Sequence, residues 1–169
     1  MTDIPVSYEL AALDCAVAML CGSAQWQTIT GGQPRSRIVF YDGGDPAQTG
    51  NPQSQNLDGE WIDTASPLAM IDQQDFPTES VGTDTVKRSG AVAIDFVLGI
   101  PGDLHPANVR RWCLGVLGTI SQEIWAQRRK PGKFAEVEPS LSLGPIQDAT
   151  GALGKEITAT ITLNWKAIS

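Results

Sequence analysis

The stretch AVAIDFVLGI at residues 91–100, with the pattern that follows it, decides the fold of this chain. Apolar side chains occupy every second position, which is the period of a β-strand with one strongly buried face. These positions are Val92, Ile94, Phe96, Leu98 and Ile100. A Pro-Gly pair at residues 101–102 ends the predicted strand.

The period then becomes helical in PANVRRWCLGVLGTISQEIWAQRR, residues 106–129. Apolar residues recur there every three or four positions and predict one buried helix face. The stripe consists of Val109, Trp112, Cys113, Val116, Leu117, Ile120 and Ile124. Pro106 suits the first helical turn. At the other end, the cluster Arg128, Arg129 and Lys130 complements the helix dipole.

A second regular strand closes the chain, because EITATITLNWK at residues 156–166 again alternates with a two-residue period. Threonines line one of its faces and apolar residues the other, as in a half-buried antiparallel strand. A looser strand is predicted over about residues 134–146. Trp112, Trp125 and Trp165 fall on or near apolar stripes, so we expect them in the core or in an interface.

The N-terminal part begins with a predicted helix over residues 7–21, with Ser7 as its N-cap and Gly22 as its stop. Its expected docking face comprises Leu10, Leu13, Ala16, Val17, Leu20 and Cys21. Short strands are predicted at residues 37–41 and 68–71, with polar loop excursions near 47–59 and 77–84. The elements together predict a single α+β domain over residues 1–169, with two main helices packed on a mostly antiparallel sheet.

Charge is unevenly distributed along the 169 residues, whose formal net charge is −7. Residues 1–86 carry 12 acidic and 2 basic side chains, a charge of −10, and residues 87–169 carry 7 and 10, a charge of +3. A protein that binds phosphates needs a basic surface, so the first half argues against nucleic-acid binding. The two halves could instead attract one another in neighbouring subunits.

Targeting and cysteine patterns favour a protein made in a cytoplasm. The N-terminus lacks a basic region, and no stretch reaches the ~18 apolar residues of a membrane span, which argues against secretion and membrane insertion. Cys15, Cys21 and Cys113 form no CxxC pair, and we expect buried structural thiols.

Residues suited to catalysis are few. His105 is the one histidine, and at a helix start it favours a capping position over a role as general base. No phosphate-binding glycine motif occurs. Asp42 and Asp45 follow a predicted strand and could hold Ca²⁺ or Mg²⁺, but a solvated turn explains them more simply. The sequence therefore predicts neither an enzyme nor a cofactor site.

Two features suit protein partners instead. Trp61 lies among acidic residues at the end of a polar segment, where it either packs back on the domain or anchors a partner. The cluster Arg128, Arg129 and Lys130 either complements the helix dipole or binds an acidic surface, such as that of a neighbouring identical subunit.

The order of these elements resembles the tail terminator proteins of long-tailed bacteriophages. The resemblance is carried by the N-terminal helix, the strand at residues 37–41 with its polar excursion, the segment 88–97, the helix at 107–127 and the strand at 154–165. It spans nearly the whole chain in element order, without a diagnostic residue motif. Related neck and tail-completion proteins share much of it.

This resemblance implies a structural virion protein without a catalytic site. Such proteins form a ring, usually a hexamer, that is assembled in the host cytoplasm, caps the tail tube and joins it to the head–neck connector protein. DNA would pass through the lumen without specific binding. The alternatives are a head-completion or connector subunit and, from another class, a small metal-binding or hydrolytic domain using Asp42 and Asp45. A small-molecule binding domain is a further alternative.

Overall fold

Helices cover one face of a central sheet in the computed structural model, which describes residues 7–40, 53–63, 66–74, 78–80, 86–127, 136–148 and 155–168. The helices are α1 (Tyr8–Cys21), α2 (Ala24–Ile29) and α3 (Val109–Ala126). The strands are β1 (Ile38–Phe40), β2 (Gln53–Gln55), β3 (Trp61–Asp63), β4 (Leu68–Gln74), β5 (Thr78–Ser80), β6 (Val86–Gly99), β7 (Glu136–Asp148) and β8 (Lys155–Ile168).

The main sheet has the strand order β1-β4-β6-β8-β7 within the described ranges, and β5 pairs with one end of β6. β1 and β4 are parallel, and the other neighbours are antiparallel. β2 and β3 form a separate hairpin. The fold is therefore α+β with two main helices on a mostly antiparallel sheet, as the sequence predicts.

The register between β6 and β8 builds the core. The paired residues are Val92 with Leu163, Ile94 with Ile161, Phe96 with Ala159 and Leu98 with Ile157. All eight side chains are at most 4% exposed, because directly opposite residues of an antiparallel pair project to the same face. The predicted alternation in both strands is thereby confirmed, and β6 begins earlier than the stretch that predicted it.

α3 lies over β7 and β8, whereas α1 lies over β4 and β6. Cys113, Leu117, Ile120 and Ile124 of the predicted stripe have no solvent exposure. A short 3₁₀ turn at Pro106–Asn108 precedes α3, and the Nδ1 atom of His105 accepts a hydrogen bond from the Ala107 amide at 3.2 Å. His105 is thus a capping residue, as predicted.

The buried face of α1 differs from the predicted one. Ala12 and Met19 belong to the core, while Leu10 and Leu13 are only half-buried. The reason is that α1 packs against α2 and α3 as well as the sheet, which widens and rotates its buried surface. α2 was not predicted, yet its Trp26 is fully buried and meets the Phe96 ring edge-on, with 5.5 Å between ring centroids.

The predicted polar excursions contain some regular structure. β2 lies inside residues 47–59, and β5 lies inside residues 77–84. Both strands have three residues and few apolar side chains, so hydrophobic periodicity does not detect them.

Candidate functional site

The β2–β3 hairpin is held by Asn56, which is 5% exposed. The Oδ1 atom of Asn56 accepts hydrogen bonds from the amides of Asp58 at 3.0 Å and Glu60 at 2.9 Å. Gly59 has a φ of 80°, which an L-residue with a side chain rarely adopts. The sequence signal that could have found this turn is the run NLDG at residues 56–59.

The hairpin packs beside the first strand of the main sheet. The Leu57 amide donates a hydrogen bond to the Ile38 carbonyl oxygen at 3.3 Å, and the Leu57 side chain packs against the core. Arg35 donates from Nε to the Asp58 carboxylate at 2.8 Å, which raises the pKa of Arg35. These contacts fix the hairpin at the β1 edge of the sheet.

Trp61 lies in β3, opposite Gln55, and is 63% exposed. The sequence left two interpretations of Trp61, packing on its own domain or anchoring a partner. The exposed ring argues against packing on its own domain. Trp is a frequent hot-spot residue of protein interfaces, so an exposed Trp61 is compatible with an anchor for a protein partner.

An apolar groove of about 420 Å³ opens between α1 and this hairpin. Its lining includes Asp14, Ala18, Cys21, Arg35, Phe40 and Leu57. Phe40 is 43% exposed although it ends a strand whose other two residues are fully buried. The volume lies within the roughly 300–1,000 Å³ of ligand-sized pockets, so the groove has room for one or two large side chains. We call it the α1–hairpin groove.

The outer surface of α3 carries a second apolar patch. Leu114 is 45% exposed and Trp125 is 41% exposed. The orientation of α3 is fixed from its other side, where the Glu123 carboxylate accepts hydrogen bonds from Ser23 Oγ at 2.5 Å and from the Gln25 amide at 3.1 Å. The exposure of Leu114 was not predicted, because Leu114 lies outside the predicted apolar stripe. Trp125 was expected in the core or in an interface, and its exposure argues against the core.

The structure describes none of the remaining candidate residues, which are Asp42, Asp45, Arg128, Arg129 and Lys130. In the part of the chain that the structure describes, no three His, Cys, Asp or Glu side chains are close enough to hold a metal ion. No helix among the described residues is long and apolar enough to cross a membrane.

The sequence predicts three buried thiols, and the structure buries two of them. Cys15 and Cys113 lie in the core, and Cys21 is half-buried. Burial raises the pKa of Cys15 to about 12 and also raises the pKa of Cys113, because the thiolate would lose hydration. At neutral pH both side chains are uncharged packing groups.

No family model matches the chain, and no curated protein matches it in sequence. The molecule itself offers two candidate binding surfaces, the α1–hairpin groove and the outer face of α3.

Proposed function

We propose that this protein is a tail terminator subunit of a long-tailed bacteriophage. It forms a ring, a hexamer by the resemblance, that caps the tail tube and joins the tail to the head–neck connector protein. The observation that carries the proposal is the order of the observed elements. The chain runs from a helix through short strands to a long central strand, a long helix and two further strands, which is the order that the resemblance implies.

The exposed apolar side chains support a subunit role. Phe40 and Trp61 lie at the β1 side of the molecule, and Leu114 and Trp125 lie on the helix that covers β7 and β8. Isolated exposed apolar residues are ordinary, but large side chains exposed toward both edges of one sheet suit a protein whose neighbours cover both edges. A closed ring covers each subunit in this way.

The charge distribution suits a ring around DNA. Residues 1–86 carry a formal charge of −10, and phosphate binding requires the opposite sign. DNA would therefore pass an acidic surface without adhering to it. In this proposal the chain acts by binding other proteins, and its partners are its own copies, the tail tube protein and the connector protein.

Electron microscopy of tails assembled with and without the protein tests the proposal. Without it, we expect tails of uncontrolled length that fail to join heads, and addition of the purified protein should restore both properties. Tails of normal length beside heads that leak DNA would instead assign the protein to head completion. Normal tails and normal heads without the protein would contradict both assignments.

A further inference from the structure

The two apolar surfaces lie toward opposite edges of the sheet. The α1–hairpin groove adjoins β1, the edge strand at one end of the strand order, because its lining includes Phe40 and Leu57. α3 packs over β7 and β8, at the other end of that order. One molecule thus presents two different surfaces near different edges of its sheet, and a head-to-tail contact between identical chains requires two different surfaces.

The exposed residues Leu114 and Trp125 lie along one side of α3. Arg110, Leu114 and Gly118 follow one another at four-residue steps, and Trp125 lies about three turns beyond Leu114 on the same side. Glu123 is about two and a half turns from Leu114, so its contact with Ser23 lies on the opposite side of the helix. We call Arg110, Leu114, Gly118 and Trp125 the α3 outer stripe.

The glycine in this stripe is unexplained within one molecule. Glycine in a helix interior is unfavourable relative to alanine, and a Cβ atom placed on Gly118 would meet no atom within 4 Å. Its lack of a side chain would be useful if the backbone of another molecule approaches α3 closely, beside the exposed Leu114 and Trp125.

The two surfaces also have opposite charge. α1 carries Glu9 and Asp14 and no basic residue, and Asp14 is an exposed groove residue. The positive charge of Arg35 in the same groove is offset by its ion pair with Asp58. The exposed charges of α3 are Arg110 and Arg111. The groove is therefore net negative, whereas the face of α3 is positive.

We propose that the α3 outer stripe of one subunit docks into the α1–hairpin groove of the next subunit. Leu114 enters the groove against Phe40, Arg110 faces Asp14, and Gly118 allows the two backbones to approach. Amphipathic helices commonly bind apolar grooves in this manner. The inference rests on the proposed function, because it assigns the contact that joins the subunits of the ring.

Two variants separate the two halves of the contact. Leu114→Glu places a charge in the stripe and leaves the groove intact, whereas Ala18→Trp fills the groove and leaves the stripe intact. Both positions are exposed, so the fold should survive, and circular dichroism checks this. Ala126→Glu is the matched control, since it adds the same charge at an exposed position of α3 that lies about 120° around the helix from Leu114.

Native mass spectrometry and sedimentation then measure association. We expect Leu114→Glu and Ala18→Trp each to weaken it by about 30-fold or more, the effect of losing one hot-spot side chain. Ala126→Glu should assemble like the parent. An equimolar mixture of the two variants should give a 1:1 dimer and nothing larger, because it contains one intact stripe and one intact groove.

A charge-swap pair provides an independent readout. Arg110→Glu and Asp14→Arg should each weaken association, and the double variant should recover it. If the parent forms rings and Leu114→Glu forms them equally well, this inference is wrong, although the proposed ring is not contradicted. The same holds if the mixture of Leu114→Glu and Ala18→Trp stays monomeric. Leu114→Glu rings that lose only tail-tube binding would assign the stripe to that partner and also overturn it. A parent protein that is monomeric at every concentration would overturn the proposed function as well.

Discussion

Replacing Gly118 by alanine should stabilise the isolated subunit and weaken its association. Gly118 lies inside α3, and an added Cβ atom meets nothing within 4 Å, so the change introduces no clash within the molecule. The gain is then the helix propensity difference between glycine and alanine, about 0.8–1.0 kcal/mol. For a chain of this size, that gain raises Tm by about 2–4 °C.

The same methyl group should be unfavourable between subunits. If α3 is closely packed in the groove of the next molecule, overpacking reduces the free energy of association by about 1–3 kcal/mol. Gly115→Ala is the matched control. Its Cβ atom also meets nothing within 4 Å, but it projects about 100° around the helix from Leu114. It should therefore raise stability equally and affect association less.

Urea unfolding of dilute, monomeric protein measures the first effect, and sedimentation equilibrium measures the second. A stability gain without any loss of association would refute the close approach at Gly118. A loss of monomer stability would refute the statement that the space around Gly118 is open.

Three further predictions concern the fold. Gly22→Ala should destabilise the protein by about 1–2 kcal/mol in urea unfolding, because its Cβ atom would lie 2.4 Å from the Gln127 side-chain oxygen and displace the Gln127 amide that donates to the Met19 carbonyl oxygen. An unchanged free energy of unfolding would contradict a fixed position of the Gln127 side chain. Trp26→Ala should lower the free energy of unfolding by about 3–5 kcal/mol, since it empties a fully buried site and removes the bond from Nε1 to the Pro34 carbonyl oxygen; a loss below 1 kcal/mol would contradict the packing of α2. Burial raises the pKa of Cys15 from 9.0 to about 12, so its neutral thiol contributes stability below pH 9 that is lost as pH rises toward 12. Cys15→Ala should therefore flatten the alkaline fall in the free energy of unfolding, and an identical fall in both proteins would contradict the burial of this thiol.

The long strands and α3 were predictable because the spacing of their apolar residues follows directly from which face of the element is buried. A strand such as β8 that is buried on one side must alternate, and Ile157, Ile161 and Trp165 do so. α3 must repeat at three- and four-residue steps, and its buried residues follow that spacing. By contrast, α2 has six residues, less than two turns, so its sequence shows no helical period.

The candidate surfaces were harder to predict because their parts are distant in sequence. The α1–hairpin groove combines Asp14, Arg35, Phe40 and Leu57, which only the packing of α1, β1 and the hairpin brings together. Trp61 was identified as a candidate because its neighbours are acidic, and the structure exposes it. The sequence could not show that Leu114 is exposed beside an open Gly118, since exposure depends on the position of α3 over the sheet.

The β2–β3 hairpin has a turn signal in the sequence that the prediction did not use. Asn56 organises the turn with its side-chain amide, and Gly59 supplies the positive φ angle that the turn needs. Asn and Gly are typical of turns. The segment around them is polar, however, and a polar segment without hydrophobic periodicity was predicted to be a loop. Backbone pairing between short polar strands leaves no hydrophobic pattern.

Native mass spectrometry of the purified parent protein tests the central claim most directly. We predict one closed ring, six copies by the resemblance, which dissociates at high salt because opposite charges meet across each contact. The ring should collapse to monomer with Leu114→Glu. A parent protein that remains monomeric at high concentration and fails to bind isolated tail tubes would contradict the account.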